Sequence, residues 1–214
     1  ILILSVVMVV LGFSTAKSQN FSLGAKVGLD LSSFSNWSDR KPDNDINNST
    51  IKRSLRTGLQ IGAVANYAFS KYLALQAEVL FQQKGEVLKF QSEGDDDDIG
   101  AVKYTIKASY ITIPILLRGT IPLGKFSLSA FAGPYLGIGI SGKYEADYDD
   151  QTITGKFEFG KGSDSDEMTK LHRIDFGISF GLIPALTVGP GDIFLDLRYD
   201  LGLIDFYNPD PKPD

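Results

Sequence analysis

Cysteine is absent from this chain of 214 residues, and histidine occurs once, at position 172. The lack of cysteine excludes disulfide frameworks, cysteine-ligated zinc and thiol catalysis together. A surplus of positive charge is also missing, because 21 basic residues stand against 26 acidic ones and leave a net charge of -5. General affinity for nucleic acid depends on Lys and Arg that neutralise phosphates. We therefore expect no nucleic-acid partner.

Long apolar runs are missing too, except at the start. A mean hydropathy of -0.01 excludes a bundle of membrane helices, but it is normal for a barrel whose strands are apolar on one face. Residues 1–15 form an apolar run, and residues 16–18 have the small-x-small pattern of a cleavage site. These are the features of a secretory signal peptide. We predict a signal peptide over residues 1–18 with a truncated start, cleaved before Gln19. A membrane anchor is the weaker alternative, because the run is short.

The sequence is rich in alternation with a period of two residues. Between residues 21 and 31 every second residue is apolar, and the residues between are Ser22, Gly24, Lys26, Gly28 and Asp30. Such alternation predicts a half-buried strand, and its length is close to the 9–11 residues of a tilted strand that crosses a bilayer. The same pattern predicts seven strands, at residues 21–31, 56–67, 72–84, 109–119, 126–141, 171–182 and 193–202.

The connections between these strands alternate in length. Short turns are predicted at residues 68–71, 122–125 and 184–191, whereas long loops are predicted at residues 32–55, 85–108 and 142–170. Short turns on one side and long loops on the other are typical of outer-membrane barrels. We therefore predict an all-β, antiparallel, up-and-down transmembrane barrel that occupies residues 19–214.

One parity of the seven strands carries no charge, and to the other we assign five positive and five negative residues. We interpret the charged set as a structural network in the lumen: Lys26, Asp30, Arg56, Glu78, Arg118, Arg173, Asp175, Asp196, Arg198 and Asp200. Parity alone also fits a soluble barrel with an apolar interior. The absence of charge from one face of every strand favours the membrane, where a mid-membrane Arg or Lys costs about 2–4 kcal/mol.

Specific pairs within the lumen can also be predicted. Asp30 and Arg56 lie near the outer ends of adjacent strands and are expected to meet. Arg173 and Asp175 are likewise expected to meet Arg198 and Asp200 on the next strand. In a barrel of about eight strands the side chains just fill the lumen. A plugged polar core without an open channel follows.

Four segments resemble strands of one known family, the PorT-like outer-membrane β-barrel domain family. They are Gln19-Asn-Phe-Ser-Leu-Gly-Ala-Lys-Val-Gly-Leu-Asp, Tyr110-Ile-Thr-Ile-Pro-Ile-Leu-Leu-Arg, Ala132-Gly-Pro-Tyr-Leu-Gly and Asp196-Leu-Arg-Tyr-Asp-Leu-Gly-Leu. The resemblance implies an eight-stranded barrel in the outer membrane of a Gram-negative bacterium and, for the namesake branch, a role in a secretion machine. The family ends in a further strand with a terminal aromatic residue. Since seven strands are visible, we expect the given sequence to be truncated.

Other candidate sites are weaker. His172 is the one residue on which a hydrolase or acyltransferase could rest, with Asp164 and Asp166 nearby, but no spacing places a nucleophile. The acidic run at residues 95–98 and the acidic residues of the third loop lack the spacing of a calcium loop. We interpret them as solvated loops. Aromatic residues at strand ends are candidates for interfacial girdles: Trp37, Tyr67, Phe69, Tyr72, Phe126, Tyr144 and Phe206.

These observations predict a non-enzymatic, monomeric protein of the outer membrane with long acidic extracellular loops. We expect no cofactor and no metal. Outer-membrane lipid is one expected partner, and a protein of a secretion or surface-assembly system, reached through the loops, is another. A hydrolase or acyltransferase that uses His172 and a small-solute pore are the alternatives.

Overall fold

The computed structural model describes residues 14–17, 20–32, 49–92, 102–148, 151–157, 159 and 173–204. Ten strands occupy these residues: β1 (Ser14–Lys17), β2 (Phe21–Ser32), β3 (Ser49–Ala68), β4 (Leu73–Ser92), β5 (Val102–Leu123), β6 (Phe126–Tyr148), β7 (Gln151–Phe157), β8 (Ile174–Val188), β9 (Gly191–Phe194) and β10 (Leu197–Gly202). Every ladder between them is antiparallel. The predicted all-β, antiparallel fold is confirmed. No helix in the described ranges is long and apolar enough to cross a membrane.

The strands form one sheet in which chain neighbours are paired. The order is β1-β2-β3-β4-β5-β6-β8-β10, with β7 beside β6 and β9 beside β8. β6 is shared along its length, because its first part pairs with β8 and its last part pairs with β7. β9 and β10 pair with successive parts of β8 and act as one strand interrupted at residues 195–196. Within the described ranges no ladder joins β10 to β1 or β2.

Four strands are longer than a bilayer requires, which corrects the predicted long loops. β3, β4, β5 and β6 have 20, 20, 22 and 23 residues, roughly twice the 9–11 that cross a membrane. Much of the predicted loop sequence is therefore strand. The period-two pattern of apolar residues is weak in these extensions, where the buried residues include the polar Glu86 and Thr105. We call the extension, made of residues 49–55, 86–92, 102–107 and 143–148 together with β7, the projecting sheet.

The orientation of the barrel follows from which parity is buried. In β2, Val27 and Leu29 are exposed, whereas Lys26 and Asp30 are 2% and 0% exposed. The later strands repeat this pattern, with exposed apolar residues such as Val79, Ile115, Ile138, Ile178 and Phe180. A continuous exposed apolar surface of this extent is not stable in water and marks a membrane-facing belt. The apolar parity therefore faces outward, and the alternative of a soluble barrel with an apolar interior is wrong.

Tight turns close one end of the sheet. Gly124 and Gly189 have φ of 74° and 60°, a region that residues with a Cβ rarely adopt. The predicted link at residues 184–191 shrinks to a two-residue turn, because β8 continues to Val188 and β9 begins at Gly191. Four exposed aromatic residues surround this end, namely Tyr67, Phe69, Tyr72 and Phe126. They are placed as an interfacial girdle would be.

The remaining girdle candidates divide between two places. Tyr144 lies in the projecting sheet, opposite Gly155 of β7. A Cβ at Gly155 would lie 2.2 Å from the Tyr144 ring. Trp37 and Phe206 lie outside the described residues. Tyr144 is therefore a packing residue of the β6–β7 hairpin.

Replacement of Gly181 by Ala is expected to prevent assembly of the barrel. A Cβ at Gly181 would lie 2.0 Å from the carbonyl oxygen of Leu197 on the neighbouring strand, and backbone at that distance cannot move aside cheaply. At Gly119 the nearest atom is 4.0 Å away, so Gly119→Ala is the matched control. Mobility on unheated SDS gels measures the folded fraction. Equal folded fractions for the two variants would contradict the close packing.

Candidate functional site: the charged lumen

Four buried charges form a cluster where β2, β4 and the β9–β10 strand face one another. Lys26 Nζ lies 2.6 Å from Glu78 Oε2 and 2.8 Å from Asp196 Oδ2. Lys26 and Glu78 belong to strands that alternate regularly, so their inward position follows from parity, whereas Asp196 lies at the break between β9 and β10. Lys26 and Asp196 are 170 residues apart in sequence. The contact therefore joins β2, near one end of the sheet, to the β9–β10 strand at the other end.

Arg198 completes this group, which we call the four-charge cluster (Lys26, Glu78, Asp196 and Arg198). Its two terminal nitrogens donate to Glu78 Oε2 and Oε1 at 3.0 and 2.8 Å, and Nη2 also donates to Asp196 Oδ2 at 2.9 Å. The guanidinium carbon lies 5.0 Å from the centroid of the Phe131 ring. The side chain of Arg198 is 0% exposed. Two cations and two anions thus neutralise each other out of contact with water.

Polar and apolar neighbours surround the cluster. Gln76 Nε2 donates to Glu78 Oε1, and Arg118 Nη1 donates to Gln76 Oε1 at 3.4 Å. Arg118 is thus connected to the cluster through an amide. On another side lie apolar residues that point inward, in a cluster of Leu116, Phe131, Ile183 and the partly buried Phe194. These inward apolar residues are absent from the sequence prediction, which placed only charge and glycine in the lumen.

A second group of charges lies nearer the projecting sheet. Lys84 Nζ is 2.9 Å from Asp175 Oδ2, and the Tyr135 hydroxyl donates to Asp175 Oδ1 at 3.3 Å. The ammonium lies 5.4 and 5.2 Å from the ring centroids of Tyr110 and Tyr135, a separation typical of cation–π contacts. We call Lys84, Asp175 and Tyr135 the upper group. Lys84 was missed in the sequence, although it shares the parity of Glu78 in β4.

Asp30 and Arg56 lie near each other on adjacent strands, as predicted, and the charge of Asp30 acts on the Arg56 guanidinium. Asp30 is opposite Gly58 in the β2–β3 ladder. Arg56 is opposite Ser32, and its guanidinium donates to the carbonyl oxygen of Lys84 at 3.1 Å. Asp200 accepts a hydrogen bond from the Ser179 hydroxyl at 2.5 Å.

Arg173 is a correction to the predicted set. It is exposed, immediately before β8, and its carbonyl oxygen accepts a hydrogen bond from the Gly139 amide at 2.7 Å. The predicted pairing of Arg173 and Asp175 with Arg198 and Asp200 is wrong, because Asp175 bonds to Lys84 and Arg198 bonds to Glu78 and Asp196. Parity predicts which way a side chain faces only within a strand. Arg173 lies just before β8 begins, so the inward parity of that strand does not apply to it.

A family comparison agrees with this architecture. Residues 16–208 match the family model described as "Outer membrane protein beta-barrel domain". The chain belongs to this outer-membrane β-barrel domain family. A comparison with curated proteins finds no match, and neither does one with solved structures.

For an outer-membrane barrel domain, the state of the lumen decides what can pass through it. Both carboxylates of the four-charge cluster bond to both cations, and Lys84 bonds to Asp175. Buried charges are tolerated when they are paired and hydrogen-bonded. These groups are therefore committed to one another, and the bond between Glu78 and Arg198 ties β4 to β10.

The weaker candidate sites of this barrel domain fall largely outside the described ranges. His172, Asp164 and Asp166 lie there, as does the acidic run at residues 95–98. Asp147 is described, and it lies 3.6 Å from Lys103 and accepts a hydrogen bond from the Thr152 hydroxyl at 2.9 Å. In the part of the chain that the structure describes, no three acidic or imidazole side chains are grouped so as to hold a metal ion.

Proposed function

We propose that this outer-membrane barrel is a non-enzymatic, monomeric protein with a closed lumen, whose projecting sheet contacts a protein partner at the cell surface. The observation that carries the proposal is the four-charge cluster, in which Glu78 bonds to Lys26 and Arg198 across the lumen. A lumen crossed by mutually neutralised side chains offers no continuous water path. The function therefore belongs to the parts of the chain outside the membrane.

The proposal also includes the finer family resemblance and the route of export. The PorT-like segments support a role as an accessory of a secretion or surface-assembly system. Export with cleavage before Gln19 would remove β1, which pairs with β2 through Ala16 opposite Leu23 and Lys17 opposite Ser22. The mature chain would then begin just before β2.

Electrical recording tests the closed lumen. Purified protein inserted in a planar bilayer is expected to give no unitary conductance steps, because the four-charge cluster and the upper group occupy the lumen at two levels. A porin inserted in a parallel membrane shows that insertion and detection work. Steps of reproducible amplitude from the wild-type chain would replace the proposal with the small-solute pore.

The partner contact has a candidate position at β7. This strand pairs with β6, and along its other edge the described part of the chain contains no paired strand. Thr152, Ile153 and Thr154 are exposed there. An edge strand can accept an extended segment from another protein as one more strand of the sheet.

Photocrosslinking in the membrane tests this contact. A crosslinking residue at Thr154 is expected to give one discrete protein adduct, whereas the same residue at Ile178 in the apolar belt is expected to give only lipid adducts. A chain in which residues 144–155 are replaced by Asn-Gly should fold but lose function in surface assembly. If Thr154 and Ile178 give the same adducts, the contact through β7 is wrong.

A further inference from the structure

Three lysines lie side by side across three strands at the base of the projecting sheet. Lys107 of β5 is opposite Lys143 of β6, and Lys143 is opposite Lys156 of β7. Directly opposed residues of an antiparallel pair point to the same face, with Cβ atoms about 4.5–5.5 Å apart. We call these residues the lysine row. Three positive charges therefore share one face within about 10 Å.

The lysine row faces the outside of the barrel. Lys107 has the parity of Ile113, Ile115 and Leu117, which are exposed in the apolar belt on the same strand. Tyr110 and Leu116, of the opposite parity, are 1% and 0% exposed. Because parity is continuous along β5 in its ladder with β4, the row projects on the same side as the belt.

The row also has a defined depth relative to the membrane. Ile140, 53% exposed, is the last outward apolar residue of β6. It is the extra residue of a register shift against β5, so Lys143, three residues later, also faces outward. That separation is about 10 Å along a strand, and less along the membrane normal because barrel strands tilt. The headgroup layer is about 5–8 Å thick on each side of the hydrocarbon, and lysine side chains can bend toward it. The ammonium groups thus lie at headgroup level.

Charge within the chain leaves the row positive. Lys107 bonds to Glu145, but neither Lys143 nor Lys156 has a carboxylate within ion-pair distance among the described residues. Like charges directly opposite one another destabilise a sheet. An anion bound between these side chains would remove that repulsion.

We propose that the lysine row binds the anionic phosphate of a lipid headgroup in the outer leaflet. The choice of a lipid over a soluble anion rests on depth, because the row adjoins the apolar belt on the outward face. The ammonium groups of Lys143 and Lys156 would donate hydrogen bonds to the phosphate. The acyl chains of the same lipid would lie along Ile138 and Ile140. The barrel would then carry a bound lipid at a fixed position on its wall.

The test uses native mass spectrometry of the purified full chain in nanodiscs that mix phosphatidylglycerol with phosphatidylcholine. Wild-type protein is expected to retain phosphatidylglycerol preferentially. The K143Q/K156Q variant is expected to bind it about tenfold or more weakly, since each lysine near an anionic surface contributes to binding. The K143R/K156R variant keeps both charges and should retain the lipid. Mobility on unheated SDS gels confirms that each variant is folded.

Lys103→Gln is the matched control. Lys103 has the same parity on β5 but is paired with Asp147 at 3.6 Å, and it lies four residues, about 14 Å along the strand, farther from the belt. Its loss should leave lipid retention unchanged. An equal loss in K103Q, unchanged retention in K143Q/K156Q, or no preference in the wild type would each overturn the proposal. So would displacement of the lipid by 10 mM inorganic phosphate, which would identify a soluble anion as the ligand.

Discussion

The Glu78→Gln variant is expected to lose about 3–5 kcal/mol of stability, as is typical when one member of a buried charged group is removed. Glu78 accepts hydrogen bonds from both terminal nitrogens of Arg198, and its Oε2 lies 2.6 Å from Lys26 Nζ. Glutamine has nearly the same shape, so no cavity is created and the loss reports charge. Lys26 and Arg198 would then share Asp196 alone. Urea unfolding in lipid vesicles, followed by circular dichroism, measures the difference.

A second substitution tests whether charge balance is the cause. The E78Q/R198Q variant leaves Lys26 paired with Asp196 at 2.8 Å and restores neutrality, so it should be more stable than E78Q. Asp147→Asn, in an exposed pair with Lys103, is the surface control and should cost at most about 1 kcal/mol. If E78Q and D147N lose the same stability, the cluster does not hold the walls together.

The Leu117→Arg variant is expected to lose about 2–4 kcal/mol, the cost of a cation near mid-membrane on the lipid face of a barrel. Leu117 is 53% exposed and lies midway along the outward apolar residues of β5. Because this surface meets hydrocarbon, an arginine there loses its hydration. Unfolding in vesicles and the yield of folded barrel measure the effect.

Ile153 is the matched control for Leu117, because its exposed fraction is similar but it lies outside the apolar belt. Ile153 of β7 is 55% exposed, and it lies in the projecting sheet. Ile153→Arg should change stability by no more than about 0.5 kcal/mol, as is usual for surface substitutions in water. Similar losses for the two variants would mean that the apolar belt is not in contact with lipid.

Alternation in the sequence predicts the facing of side chains well and their partners poorly. The inward parity of Lys26, Glu78 and Arg198 is readable from sequence because a strand has a period of two. Which of them meet is decided by the tilt and stagger of a sheet that brings residues 170 apart into contact, and no local pattern records this. The predicted contacts of Asp175 are wrong for that reason, whereas those of Arg173 are wrong because it is exposed before β8 begins.

The projecting sheet and Lys84 were missed for a different reason. A strand is recognised in sequence when one face is apolar, and this signal ends where the strands leave the membrane. Lys84 lies at that boundary as the last residue of the predicted strand 72–84, and the predicted charged set omitted it although its parity is inward. The lysine row was hidden likewise, since Lys107, Lys143 and Lys156 become neighbours only through the ladders of β5, β6 and β7.

The projecting sheet also restricts how the exposed part of this protein can vary. Its strands continue those of the barrel wall, so two residues added to each of two paired strands would raise the tip by about 7 Å and keep every side chain on its face. If one residue were added instead, every side chain beyond it would move to the opposite face of the sheet. The reach of the sheet and the residues that it displays are thus linked, because only length changes of an even number of residues keep the same side chains on each face.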